Sequence, residues 1–68
     1  MTLGENIKRL RENKFMSIFD VQEITGLSKS TLHEIERDIP NPTLDIIDTL
    51  DKIASAFNIT TYDLLLKP

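Results

Sequence analysis

The 68-residue sequence contains no cysteine, no tryptophan and only two glycines, and it has no apolar run long enough to cross a membrane. Without cysteine, neither a disulfide framework nor a thiolate metal site is available, which argues against a small secreted scaffold and favours a reducing cytoplasm. Lys8, Arg9 and Arg11 interrupt the N-terminal segment before a signal-peptide core could form. A chain of this length supports one small core, so we expect one domain over residues 1–68.

The sequence also lacks the excess of positive charge that is typical of nucleic-acid-binding proteins, since its formal net charge is −3. Residues 1–37 contain six Lys and Arg and six Asp and Glu, whereas residues 38–68 contain two and five. Asp45, Asp48 and Asp51 recur every third residue, and we expect them to line one solvated side of a helix. The nearly neutral N-terminal half predicts weak non-specific attraction to a polyanion, so that any affinity for nucleic acid would come mainly from specific contacts.

Catalytic and metal-binding patterns are missing as well. The single histidine, His33, has no cysteine or second histidine with which to share a metal, so no metal and no other cofactor is expected. The Ser and Thr residues suit helix caps and turns, and no glycine-rich phosphate loop or nucleophile arrangement is present. We therefore do not expect an enzyme.

Capping residues and apolar spacing predict five helices and no strand. Candidate N-terminal caps are Thr2, Ser17 and Thr60, and an aspartate follows each of the last two after three residues. Pro40 and Pro42 break the third helix. A fourth helix is expected to start near Thr43 and to stop at Asn58, because asparagine tolerates left-handed backbone.

The most informative segment is residues 17–37, which predicts two short helices around a glycine turn. Gly26 ends an apolar-periodic stretch where a residue with positive φ can terminate a helix, and Ser28 follows as the cap of the next helix. A turn of about three residues holds two helices at a steep angle, so that the second can project away from the body. Such a helix fits the major groove of DNA.

This segment and its flanks resemble the helix-turn-helix family of phage repressor, Cro and XRE-type regulators, from about Leu3 to Leu65. The matching flanks are the first-helix segment 4–11, residues 35–37, the loop 41–44 and the pair Ile53 and Ala54. The resemblance implies a compact, all-α, five-helix lambda-repressor-like domain. It also implies a sequence-specific transcriptional regulator that places its recognition helix in the major groove of double-stranded DNA. Of the kinds of regulator, we expect a repressor.

The exposed side of the helix 28–37 supplies the candidate base contacts. At about 100° per residue, Leu32 and Ile35 face the core and the opposite side is free. Lysine donates to guanine, serine suits either partner of a pair, glutamate accepts from cytosine N4, and a threonine methyl packs on thymine. The predicted base contacts are Lys29, Ser30, Thr31, His33 and Glu34.

Phosphate contacts are expected from other elements, because positioning and base recognition are usually divided. The predicted phosphate contacts are Ser17 at the start of the second helix, together with Arg37, Asn41 and Lys14. Asn41 has an equal alternative as a turn residue before proline. The resemblance further implies that Arg11 pairs with Glu36 as a structural brace.

The C-terminal half carries more apolar residues than one monomer is expected to bury. This predicts a two-fold homodimer on a palindromic operator, with half-sites about 10 base pairs apart. The expected contacts are Phe57, Ile59, Tyr62 and Leu65. The alternative is that these residues complete the core of the monomer.

A second functional hypothesis is a protein-interaction module on the same scaffold, such as an antitoxin or antirepressor-like partner that binds through its acidic C-terminal half. Ile18, Phe19 and Ile24 also predict exposed apolar surface on the second helix, where a protein partner could bind. Phe15 departs from the family because it replaces a frequent glycine.

Overall fold

The computed structural model describes residues 1–66, which form five α-helices and no strand. The helices are α1 (Leu3–Asn13), α2 (Ile18–Thr25), α3 (Lys29–Glu36), α4 (Ile46–Ala56) and α5 (Thr61–Leu66). The predicted all-α class is confirmed, and the last two residues of the predicted domain, 67 and 68, lie outside the described range. Among residues 1–66, no helix has the length and apolar character needed to cross a membrane.

Capping boxes open three of these helices at the predicted residues. Thr2 accepts a hydrogen bond from the Glu5 N–H at 3.2 Å, and the Glu5 carboxylate accepts one from the Thr2 N–H at 2.9 Å. The same reciprocal arrangement joins Ser17 to Asp20 and Thr60 to Asp63. Each box satisfies backbone N–H groups that have no partner within the helix, so these starts are fixed locally.

Helix α4 begins three residues later than the predicted start near Thr43. The Asn41 carbonyl accepts from the Leu44 N–H at 3.1 Å and the Asn41 side chain accepts from the Thr43 N–H at 3.2 Å, so residues 41–44 form a turn. Asp45 then caps the helix by accepting from the Asp48 N–H at 3.1 Å. The predicted start was wrong because Leu44 fits the apolar spacing of the helix, although it lies one residue before the cap, Asp45.

The three acidic residues of this segment are exposed as predicted, but they do not form one uniform side of a helix. Asp45 precedes the helix as its cap. Asp48 pairs with Lys52 at 3.1 Å, and Asp51 accepts a hydrogen bond from the Thr61 hydroxyl at the start of α5. All three aspartates therefore have structural partners besides solvent.

Positive φ angles occur at four described residues. Gly26, at 75°, and Asn58, at 57°, lie after α2 and α4, which confirms the predicted left-handed positions. Asp38 has φ 58° and Phe15 has φ 56°. The left-handed region costs a residue with a Cβ about 1–2 kcal/mol, and Asn and Asp tolerate it best. Phe15 gains no burial in exchange, since its side chain is 96% exposed.

One apolar cluster draws on all five helices. Its members are Ile7, Val21, Leu32, Ile35, Leu50, Ile53, Ala54, Phe57 and Leu64. Helix α3 packs against α1 and α2, whereas α4 packs against α2 and α5. Helix α3 is therefore supported from behind by two helices, and its outer side stays open.

The N-terminus of α1 lies directly against the C-terminal end of α3. A Cβ on Gly4 would stand 2.5 Å from the Ile35 carbonyl oxygen and 2.6 Å from that of Glu36, so only glycine fits. The Asp38 carboxylate closes the junction by accepting hydrogen bonds from the Thr2 hydroxyl and, at 2.9 Å, from the Gly4 N–H. The hydrogen bond from the Thr2 hydroxyl, and to a smaller extent the one from the Gly4 N–H, lowers the pKa of Asp38 below its ordinary value.

Alanine should destabilise the domain at both glycines, but asparagine should be better than alanine at Gly26 and worse than alanine at Gly4. At Gly26 nothing lies within 4 Å of an added Cβ, so Gly26→Ala should cost about 1–2 kcal/mol through its φ alone, and Gly26→Asn should recover most of that loss. Gly4→Ala forces a Cβ into backbone oxygens and should cost about 1–3 kcal/mol or more, and Gly4→Asn should be worse. Thermal or urea unfolding measures both pairs. A Gly4→Ala variant as stable as the parent would contradict the close packing of α1 and α3.

Candidate nucleic-acid interface

The turn between α2 and α3 has the predicted three residues and is held by hydrogen bonds on both sides. The Gly26 N–H donates to the Gln22 carbonyl at 2.8 Å, and Ser28 accepts from the Thr31 N–H at 3.1 Å. Thr25 adds a contact that the sequence did not indicate, because its hydroxyl accepts from the Leu27 N–H at 3.2 Å. The turn therefore fixes the angle of α3 relative to α2.

Helix α3 divides into a buried and an exposed side as predicted. Leu32 and Ile35 are 2% and 8% exposed and belong to the core. Lys29 and Ser30 are exposed on the first turn, and Arg37 is exposed just after the last turn. The exposed side thus presents one cation at each end, with hydrogen-bonding groups between them.

The other three predicted base contacts are half-buried and lie in different surroundings. Thr31 belongs to the helix cap, since its hydroxyl accepts from the Ser28 hydroxyl at 2.9 Å. His33 lines a cleft towards α1, and Glu34 lines a groove beside the loop that follows α3. The structure therefore spreads the five candidates over both flanks of α3, and their contacts with bases stay predictions.

The cleft beside His33 concentrates positive charge. It has a volume of about 170 Å³ and is lined by Lys8, Arg11, His33, Glu36 and Arg37. Its one carboxylate, on Glu36, already pairs with Arg11. Lys8 and Arg37 are left as its uncompensated charges, so this flank of α3 is positive although the chain as a whole is negative.

Arg11 and Glu36 form the pair that the resemblance implies. Arg11 Nε donates to Glu36 Oε2 at 2.7 Å and Nη2 donates to Oε1 at 3.1 Å. The two side chains are only 11% and 8% exposed. Arg11 Nη1 also donates to the Met16 carbonyl at 2.8 Å, and the hydrogen bond to Glu36 raises the pKa of Arg11. The Arg11 guanidinium is thus engaged in hydrogen bonds within the domain.

The predicted phosphate contacts differ in how free their groups are. Lys14 and Arg37 are exposed. The Ser17 N–H donates to Asp20 at 2.8 Å and the Ser17 oxygen accepts from the Asp20 N–H, which leaves the hydroxyl hydrogen without a partner among residues 1–66. The Asn41 side chain is bonded to Thr43 and Glu34.

The predicted dimer contacts need a correction at Phe57. Its side chain is 0% exposed and lies at the centre of the core, because it continues the apolar side of α4 into the C-terminal cap. Ile59 is half-buried and packs against the core. Tyr62 and Leu65, in contrast, are 67% and 51% exposed. For Phe57 the alternative of a completed monomer core is therefore right.

A family model described as helix-turn-helix domain matches residues 4–68. The chain belongs to the helix-turn-helix domain family. It is 39% identical over 59 residues to the immunity repressor protein of Bacillus phage phi105, and 34% identical over 65 residues to the HTH-type transcriptional regulator DdrOP3 of Deinococcus deserti. These alignments cover 87% and 96% of this chain. Such relatives confirm the resemblance to phage-repressor and XRE-type regulators.

A solved structure gives the same assignment for the helix-turn-helix fold. In the SinR protein/SinI protein complex, one chain superimposes on this domain with a TM-score of 0.82 and 31% sequence identity over 97% of this chain. The domain spans 62% of that chain, and 39% and 48% of the phage repressor and DdrOP3. It therefore corresponds to part of each relative's length.

Two features of this helix-turn-helix domain were missed by sequence reasoning. Lys8 precedes Arg11 by three residues, and that spacing places both side chains on one side of α1 and could have indicated the cleft. The contact of Gly4 with Asp38 joins residues that are 34 positions apart, so no local sequence pattern predicts it.

Arg11→Met should lower the stability of the domain, because the Glu36 carboxylate would then be buried without its partner. Breaking a buried pair in this way costs roughly 3–5 kcal/mol, a large share of the total for a small domain. Thermal unfolding measures the effect, with Arg37→Met as the matched control at an exposed arginine. Unchanged melting combined with a loss of DNA affinity would instead make Arg11 a DNA contact.

Proposed function

We propose that this chain is the DNA-reading part of a sequence-specific transcriptional regulator, a repressor that occludes its promoter. The exposed side of α3 carries the proposal, since it projects from a hydrogen-bonded turn on a family scaffold. The helix has 8 residues and is about 12 Å long, a size that the major groove accommodates. Relatives that are named repressors and transcriptional regulators support this assignment. Such a protein works in the cytoplasm, where bacterial and phage DNA is transcribed.

The charge distribution supports DNA approaching through α3 in spite of the net charge of −3. Lys29 and Arg37 lie at the two ends of the exposed side, and Lys8 lines the cleft beside it. The acidic residues Asp48 and Asp51 belong to α4, which packs against α2 and α5. A phosphate backbone that follows α3 therefore lies near three cations and away from the two aspartates of α4.

We assign base recognition to Lys29, Ser30, Thr31, His33 and Glu34, and phosphate contact to Arg37, Lys14 and Ser17. Lys29→Ala should weaken binding to the preferred site by about 1–3 kcal/mol and binding to random DNA much less. Arg37→Ala should weaken all sequences alike, because phosphate contacts carry no sequence information. Selection from a random duplex pool, followed by titrations at fixed salt, measures both.

Lys52→Ala is the matched control for lost charge, since Lys52 is an exposed lysine on α4 that pairs with Asp48. Lys52→Ala should leave the sequence preference unchanged. It should weaken binding only by the general effect of one lost positive charge. Equal losses for Lys29→Ala on preferred and random DNA would make Lys29 a phosphate contact. A parent protein that selects no sequence from the pool would refute the function itself.

We further propose that the regulator works as a two-fold homodimer on a palindromic operator with half-sites about 10 base pairs apart. Three exposed apolar side chains support this: Ile47 at 71%, Tyr62 at 67% and Leu65 at 51%. Ile47 and Asp51 are one turn apart on the same flank of α4, and Asp51 bonds the start of α5. Ile47 therefore lies on the flank of α4 that faces the start of α5, the helix that carries Tyr62 and Leu65.

Leu65→Asp should dissociate this dimer, because a carboxylate would have to be buried at an apolar contact. Sedimentation at rising concentration measures the change, with Ile24→Asp as control, since Ile24 is an apolar residue of similar exposure on α2. A parent protein that is monomeric at about 100 μM, and that binds a half-site as well as a full palindrome, would contradict the dimer.

The exposed apolar surface of α2 supports a protein contact that is distinct from binding through the acidic C-terminal half. Phe19 and Ile24 are 63% and 59% exposed as predicted, whereas Ile18 packs against the core. We propose a protein contact at this surface in addition to DNA, as a secondary function. Retention on heparin or random DNA tests the stricter hypothesis of an interaction module that does not bind DNA, because such a module with a net charge of −3 would bind neither.

A further inference from the structure

We propose that Asn41 is a positioning residue for base recognition, which holds the Glu34 carboxylate of α3 in the orientation that accepts a hydrogen bond from an exocyclic amino group of a base. The inference rests on the proposed DNA-reading function. It replaces the assignment of Asn41 as a phosphate contact with a role in sequence preference.

The orientation of the Asn41 amide follows from its partners. Its oxygen accepts from the Thr43 N–H at 3.2 Å and from the Thr43 hydroxyl at 2.8 Å. A backbone N–H can only donate, so the group that faces Thr43 is the oxygen and the group on the other side is the NH₂. That NH₂ donates to Glu34 Oε1 at 3.4 Å. Both ends of the amide are therefore engaged within the protein.

The main chain ties the same loop to the same glutamate. The Ile39 N–H donates to the Glu34 carbonyl at 2.8 Å. Pro40 and Pro42 flank Asn41 and restrict the backbone on both sides of it. The side-chain bond thus comes from a loop that is already held against α3, and little freedom remains for the amide to leave its place.

The restraint on Glu34 has a consequence for recognition. With Oε1 engaged by Asn41, Oε2 is left to accept from N4 of cytosine or N6 of adenine. A bound carboxylate repels O4 of thymine and O6 of guanine, which are acceptors themselves. Because the side chain is ordered before DNA arrives, less conformational entropy is lost on binding, and the orientation favours one base pair.

A double-mutant cycle in a random-pool selection tests this proposal, with the parent, Asn41→Ala, Glu34→Ala and the double variant. Asn41→Ala should relax the preference at one base pair roughly tenfold and leave the preferences at the other positions in place. In the Glu34→Ala background the same change should have no further effect at that position, because the group that Asn41 orients is gone.

Two variants separate this role from stability of the turn. Thr43→Val removes one bond to Asn41 and does not touch Glu34, so it should keep the base preference. Asn41→Ser can still accept from the Thr43 N–H but is too short to reach Glu34, so it should relax the preference as Asn41→Ala does. Thermal unfolding of each variant checks that the domain is folded at the assay temperature.

Other outcomes would overturn the inference. A uniform loss of affinity for all sequences, with the salt dependence unchanged because the amide carries no charge, would make Asn41 a phosphate contact. Unchanged affinity and unchanged preference would leave it a turn residue only. In both cases the parent still selects a sequence, whereas a parent without any selected sequence would refute the DNA-reading function and this inference with it.

Discussion

The buried pair of Arg11 and Glu36 is the interaction on which the rest of the structure depends. One guanidinium bonds the end of α3 through two hydrogen bonds and the chain before α2 through the Met16 carbonyl. Three segments are thereby tied at one point, and a partial opening would leave a charge without its partner in a place with little water. The Arg11 hydrogen bonds thus hold the end of α3 in a fixed position relative to α1 and the start of α2.

Much of the fold could be predicted from the sequence because its signals are local. The capping boxes at Thr2, Ser17 and Thr60 depend on residues three positions apart, and Gly26 depends on its own φ. The two sides of α3 follow from helical spacing alone. Because helical spacing is a local signal, it identified the exposed side of α3. It could not identify which residues of other elements lie next to each side chain on that side.

The features that the sequence did not predict depend on contacts between distant residues or on competition between local bonds. Asp38 meets Gly4 across 34 positions, and a glycine that is needed for close packing looks like any other glycine in the sequence. The start of α4 shifted because two local arrangements compete, a helix from Thr43 or the Asn41 turn followed by the Asp45 cap, and the second one forms. The apolar residues of the C-terminal half have similar hydropathy, so pattern alone could not separate buried Phe57 from exposed Tyr62.

Phe15 carries a cost that the free domain does not recover, left-handed backbone in a residue with a Cβ, because its aromatic ring is 96% exposed and adds no stabilising burial. A domain of this size has a stability margin of only a few kcal/mol, so a residue of this kind uses an appreciable part of it. The chain therefore lies below the stability that its scaffold permits. Its turn between α1 and α2 is a place where a thermostable version can be engineered without altering α3.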